Sequence, residues 1–147
     1  MSIAVRKAET VWTGNLDDGS GTLTGSSGAL GELPVTWAAR TVDPGGKTSP
    51  EELAAAAHSS CFSMALAATL AGHNLAATTL TVSSAVTLDE VDGKPTVTTS
   101  DLTVKAEVPG VDAAVFQTIV DEAAALCPIS RLFAGANITV SATLAAS

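Results

Sequence analysis

The stretch from Ser49 to Gly72 constrains this chain more than any other. Ser49 suits an N-cap, Pro50 suits the first helical position, and Glu51 and Glu52 put acids in the first turn. Gly72 is a natural C-terminal stop. Between these signals, Leu53, Ala57, Cys61, Met64 and Ala68 fall on one stripe at helical spacing. Phe62, Leu66 and Leu70 fall on the opposite stripe. A helix that is apolar all round belongs inside a structure, not on its surface. The rest of the chain must therefore cover it, and a second copy of the chain would bury it more fully.

The flanking sequence predicts strands. Val5, Val11 and Trp12 suggest a first one, and Gly21–Thr24 and Leu33–Ala38 suggest two more, with glycines between them as turns. Thr79–Leu88 and Thr96–Val108 are rich in Thr and Val, and Asp92-Gly93-Lys94 between them is a hairpin signal. Asp112 can cap a second helix running to Leu126, which Cys127-Pro128 breaks before a short turn over Ile129–Phe133. Asn137–Leu144 reads as a last strand. The expected order is β-β-β-α-β-β-α-β without βαβ alternation. That order describes an α+β fold, an antiparallel sheet around a buried central helix. No repeat or linker interrupts it, so residues 1–147 read as a single domain. A chain of this length buries roughly 70% of its unfolded surface.

Composition narrows the function. Hydrophobic residues make up 46% of the chain and charged ones 15%, an oily balance that points to a homodimer. Seven basic residues among fifteen acidic ones leave a net charge of −8. They form no phosphate-binding stripe and no polybasic anchor, so neither nucleic acid nor a membrane surface is an expected partner. The longest mostly apolar stretch, Cys61–Gly72, falls short of the roughly 20 residues a spanning helix needs. The first residues, Met1-Ser-Ile-Ala-Val-Arg-Lys, carry no apolar core followed by a cleavage site, so the expected location is cytoplasmic. His58 and His73 are not spaced as a metal pair, and no metal is expected.

Two cysteines occur, Cys61 and Cys127. In a reducing compartment such a pair is either inert core filler or redox-active. Their 66-position separation excludes a CxxC motif. A nucleophilic cysteine needs a nearby cation or hydrogen-bond donor to lower its pKa. The chain offers Arg6, Lys7, Arg40, Lys47, Lys94, Lys105 and Arg131 as cations. His58 lies one turn before Cys61, about 60° round the helix from it. A structural or dimer-contact role suits it better than that of a base.

Three motifs in register carry a resemblance. They are Trp12-Thr-Gly14, Ser49-Pro-Glu-Glu-Leu-Ala-Ala-Ala-Ala-His-Ser-Ser-Cys-Phe-Ser-Met-Ala-Leu66, and Cys127-Pro-Ile-Ser130. Together they resemble the OsmC family, which comprises the osmotically inducible protein C and organic hydroperoxide resistance proteins. With no arginine between Arg6 and Arg40, the pattern is closer to the OsmC branch.

The resemblance implies an OsmC-like fold, an intertwined homodimer and a thiol peroxidase that reduces organic hydroperoxides. By that resemblance Cys61 is the peroxidatic cysteine, Cys127 the resolving cysteine, Arg40 the cation that activates the thiolate and Glu51 the carboxylate that orients Arg40. It implies no bound cofactor, but an external dithiol reductant, dihydrolipoamide on a lipoylated protein. A redox sensor or a non-enzymatic stress-related binding domain are the alternative readings.

Overall fold

The computed structural model describes residues 1–146. Alternating Thr and apolar residues, broken by glycine, shape the N-terminal part. Strands β1 (Ala8–Thr13), β2 (Ser20–Gly25) and β3 (Glu32–Val35) form an antiparallel meander in the order β1-β2-β3. Gly21 is required at its place. A Cβ there would lie 2.7 Å from Val35 Cγ2 and 3.0 Å from the Trp12 ring, so the side chains of the two flanking strands could not close over β2.

The third strand is shorter than expected. Thr36 stops it by capping a helix, its Oγ1 accepting from the Ala39 N–H at 3.1 Å. Residues Trp37–Thr41 are thus helix α1 rather than the end of a strand. This correction matters because it sets the direction in which Arg40 leaves the backbone. The unit that holds these elements ends at Leu53.

Helix α2 runs over Pro50–Gly72, starting and stopping where the capping signals place it. Ser49 Oγ accepts from the Glu52 N–H at 3.1 Å. Its 23 residues are long and apolar enough on length and composition to cross a membrane. The core helix of a globular unit meets the same test.

The second unit begins at Ala54. Strands β4 (Thr79–Val91) and β5 (Lys94–Glu107) make a long antiparallel hairpin. Its turn is set by Asp92 and Gly93, both at positive φ (52° and 72°), as a tight primed turn demands. Helix α3 (Ala113–Leu126) is capped by Asp112, whose carboxylate accepts from the Val115 N–H at 2.9 Å. Helix α4 (Pro128–Leu132) follows at once, and β6 (Asn137–Leu144) closes the sheet.

The order β4-β5-β6 differs from the expected antiparallel sheet. β6 lies parallel to β5, so β5, α3 and β6 form one βαβ crossover, which a parallel neighbour requires. The α+β class holds, with two three-stranded sheets in place of one and two short extra helices.

The core of this unit joins Phe62, Leu66 and Leu70 of α2 to Leu102, Val104 and Ala106 of β5, and to Phe116, Ile119, Val120 and Ala123 of α3. Each large side chain removed from water there contributes roughly 1.5–3 kcal/mol. The sheet covers one face of α2. The other stripe is open in the single chain, with Met64 67% exposed. The helix is therefore not enclosed on all sides by its own chain.

Candidate active site

In the first unit, α1 presents Arg40 to Glu51 in the opening turn of α2. The Arg40 Nη2 donates to Glu51 Oε1 at 2.6 Å, and Nε lies 3.1 Å from both carboxylate oxygens. Thr48 fixes the approach. Its N–H donates to the Pro34 carbonyl at 3.0 Å, and its hydroxyl donates to Glu52 Oε1 at 2.7 Å.

The guanidinium also lies 5.8 Å from the Trp37 ring centroid, a cation–π contact. Hydrogen bonding to Glu51 raises the Arg40 pKa further above its ordinary value, so it is a permanent cation. A cavity of about 300 Å³ within this unit is lined by Trp12, Leu23, Val35, Trp37 and Leu53, with Arg40 in its wall. The arginine–glutamate pair is thus formed.

In the second unit, α2 carries Cys61 and the α3–α4 junction carries Cys127. Both are free thiols, Cys127 within the core and Cys61 packed against it, and each shifts the other's ionisation. Cys127 ends α3 and, with Pro128 following it, starts α4, as the Cys127-Pro128 break in the sequence suggests.

Burial pushes the Cys61 thiol up, the Cys127 side chain adds to that, and the Ile129 N–H acts against it. Burial also acts to raise Cys127. The hydroxyl and N–H of Ser130, the Cys61 thiol and the Ile129 N–H outweigh it and bring Cys127 down. Cys127 stands at the N-cap of α4, where its side chain makes no capping hydrogen bond. Within this unit, then, the two thiols shift in opposite directions, Cys61 up and Cys127 down.

A groove of about 740 Å³ opens at Cys61, lined by Met64, Ala65, Ala68 and Leu126. At its border His73 Nε2 pairs with Glu122 at 2.8 Å. His73 follows directly after α2, its N–H donating to the Thr69 carbonyl at 3.2 Å.

One part of the site escaped sequence reasoning. His58 is wholly buried in its own chain, so it is no dimer contact. Its Nδ1 lies 2.6 Å from Ser100 Oγ and its Nε2 2.8 Å from Ser130 Oγ. A signal was present: Ser100 interrupts an otherwise apolar inward row, Leu102, Val104 and Ala106, on β5.

A family model described as OsmC-like protein matches residues 43–143. Peroxiredoxin OsmC of Escherichia coli (strain K12) is 37% identical over 127 residues, 86% of this chain and 88% of that one. The organic hydroperoxide resistance protein of Xanthomonas axonopodis pv. citri (strain 306) is 35% identical over 102 residues, 69% of each chain. The fold also matches a solved OsmC structure from Legionella pneumophila with a TM-score of 0.74 at 21% identity, covering 99% of this chain and 100% of that one. On the family model and these two relatives, the chain belongs to the OsmC family.

Proposed function

We propose that this protein is a thiol-dependent peroxidase that reduces organic hydroperoxides to alcohols. The observation that carries the reading is the placement of Cys61 at an apolar groove, with Cys127 near enough to shift its thiol. The names of the two relatives support the hydroperoxide chemistry.

The Cys61 thiolate attacks the distal peroxide oxygen and the O–O bond breaks. The alkoxide leaves and takes a proton to become the alcohol, and Cys61 becomes a sulfenic acid. Arg40, oriented by Glu51, is the cation that favours the Cys61 thiolate and stabilises the developing alkoxide. This role rests on the motif match. The Arg40–Glu51 hydrogen bonds support its second half. Cys127 then attacks the sulfenic sulfur and closes the disulfide. An external dithiol reopens it, and dihydrolipoamide on a lipoylated protein is the reductant the resemblance favours.

The groove at Cys61 suits the alkyl part of the substrate, so bulky organic peroxides should exceed hydrogen peroxide in specificity constant. Residues 1–147 work as one OsmC-like domain, in a cytoplasmic homodimer without a bound cofactor or metal. The family match across residues 43–143, which spans both units, supports the single domain. The exposed Met64 stripe supports the dimer.

Cys61→Ser should abolish turnover of cumene or tert-butyl hydroperoxide with dithiothreitol. Full activity in that variant would end this reading.

A further inference from the structure

A wholly buried imidazole is costly unless both nitrogens find partners. His58 finds them on two other elements. Its Nδ1 meets Ser100 on β5 at 2.6 Å, and its Nε2 meets Ser130 on α4 at 2.8 Å. Ser100 is buried too, and its hydroxyl lies 3.1 Å from Ser84 Oγ on β4. The Phe133 ring, just past the end of α4, meets the imidazole edge-on, with centroids 5.3 Å apart at 83°. The ring of His58 thus ties α2 to the sheet through one nitrogen and to α4 through the other.

Helix α4 needs such a tie. Five residues make little more than one turn, too short to persist without packing. The start of α4 is Cys127, whose carbonyl accepts from the Arg131 N–H at 3.1 Å while its own N–H donates to the Ala123 carbonyl at 2.9 Å. Ser130 stands in the same turn. Ile129 packs against the apolar core, but apolar contact is non-directional and would let a single turn slide or rotate. A hydrogen bond to a ring whose other nitrogen is fixed on the sheet allows one seating of that turn. An apolar side chain at position 58 would fill the space, but it would not set where α4 begins.

We propose that His58 is a positioning residue for the disulfide-forming step: its hydrogen bond to Ser130 seats α4, and so keeps Cys127 in place to close on the Cys61 sulfenic acid before a second hydroperoxide reaches it. The inference rests on the peroxidase reading above. Cys127 lies in the core and Cys61 packs against that core. In closure the Cys127 sulfur attacks the sulfenic sulfur, the S–S bond forms and the S–O bond breaks. The hydroxyl leaves with the thiol proton as water. The sulfenic sulfur is reduced and the Cys127 sulfur oxidised to a common level. In the competing reaction a second hydroperoxide gives one oxygen to the sulfenic acid, which becomes a sulfinic acid, and departs as its alcohol. The share of time that Cys127 spends in place decides between the two. His58 takes no proton in this scheme.

The test treats the reduced protein with cumene hydroperoxide, at one equivalent and in excess, and quenches by alkylation at successive times. Mass spectrometry reads sulfenic acid, disulfide and sulfinic acid. Ser130→Ala changes a half-buried position and leaves the His58 ring in the core. It should form sulfenic acid within about twofold of the wild-type rate. Its disulfide closure should be slower on the order of tenfold, the loss expected for one hydrogen bond, and sulfinic acid should accumulate in excess peroxide. Ser130→Thr keeps the hydroxyl and should restore closure. Ser130→Val has the shape of Thr without the hydroxyl and should behave as Ser130→Ala. Wild-type closure in Ser130→Ala would overturn the proposal. Equal slowing of both steps would do so too, since the variant would then have loosened the site as a whole, and so would Thr and Val variants that behave alike. Wild-type protein whose two thiols stay free would overturn the peroxidase reading itself, an outcome seen without any variant.

Discussion

Glu51→Gln isolates the orienting role of one carboxylate with almost no change of shape. In the native chain Glu51 holds Arg40 by three hydrogen bonds, at 2.6 and 3.1 Å to Oε1 and 3.1 Å to Oε2. The amide keeps one oxygen acceptor and turns an NH2 towards the other guanidinium hydrogens. The Arg40 side chain is 29% exposed and that of Glu51 12%, between a surface ion pair and a buried one. Exposed pairs contribute about 1 kcal/mol or less, and hydrogen bonds to charged groups about 1.5–3 kcal/mol, so a loss of about 1.5 kcal/mol is expected. Such a loss lowers the melting temperature by about 3–6 °C and leaves the chain folded. It also lowers the fraction of Arg40 in its held orientation about tenfold. If that orientation activates Cys61, kcat/KM for cumene hydroperoxide falls about tenfold as well, and Glu51→Gln with Arg40→Ala does no more than Arg40→Ala alone. A melting temperature that drops while kcat/KM stays within about twofold would refute the reasoning, since Arg40 would then be held for stability alone.

Three further outcomes follow from the second unit. His58 is held neutral by burial, with its folded pKa below the ordinary 6.5. The unfolded chain therefore binds the extra proton, and stability falls as pH drops below about 6.5 and is flat above it. Urea midpoints between about pH 5 and 7.5 should show this slope in the wild type and lose it in His58→Gln, whereas equal slopes would contradict the account. Phe62→Ala empties a fully buried core position and should cost about 3–5 kcal/mol by urea unfolding. Asp112→Ala removes the α3 cap and should cost about 1 kcal/mol in the same assay. A change under half that size would show the cap to be idle.

The strong local signals read well. Ser49, Pro50 and Gly72 bracket α2, Asp112 caps α3, and Asp92-Gly93 turns the hairpin, because each acts on its own backbone within a few residues. What failed was set by distant partners. Trp37 and Ala38 read as the end of a strand because aromatic and apolar residues suit strands, but Thr36 captures the Ala39 N–H and starts α1 instead. The parallel seat of β6 depends on the α3 crossover, which no local pattern in Asn137–Leu144 reveals. In the site, both cysteines and the Arg40–Glu51 pair were legible through their motifs. The serine partners of His58 were not, since Ser100 and Ser130 lie 42 and 72 positions from the ring they meet.

The central claim is that Cys61 and Cys127 form one redox unit. Mass spectrometry of the wild-type protein, reacted with one equivalent of cumene hydroperoxide and digested without reductant, tests it most directly. The account predicts a Cys61–Cys127 linkage within one chain and one alcohol formed per linkage. Two free thiols beside unconsumed hydroperoxide would contradict it.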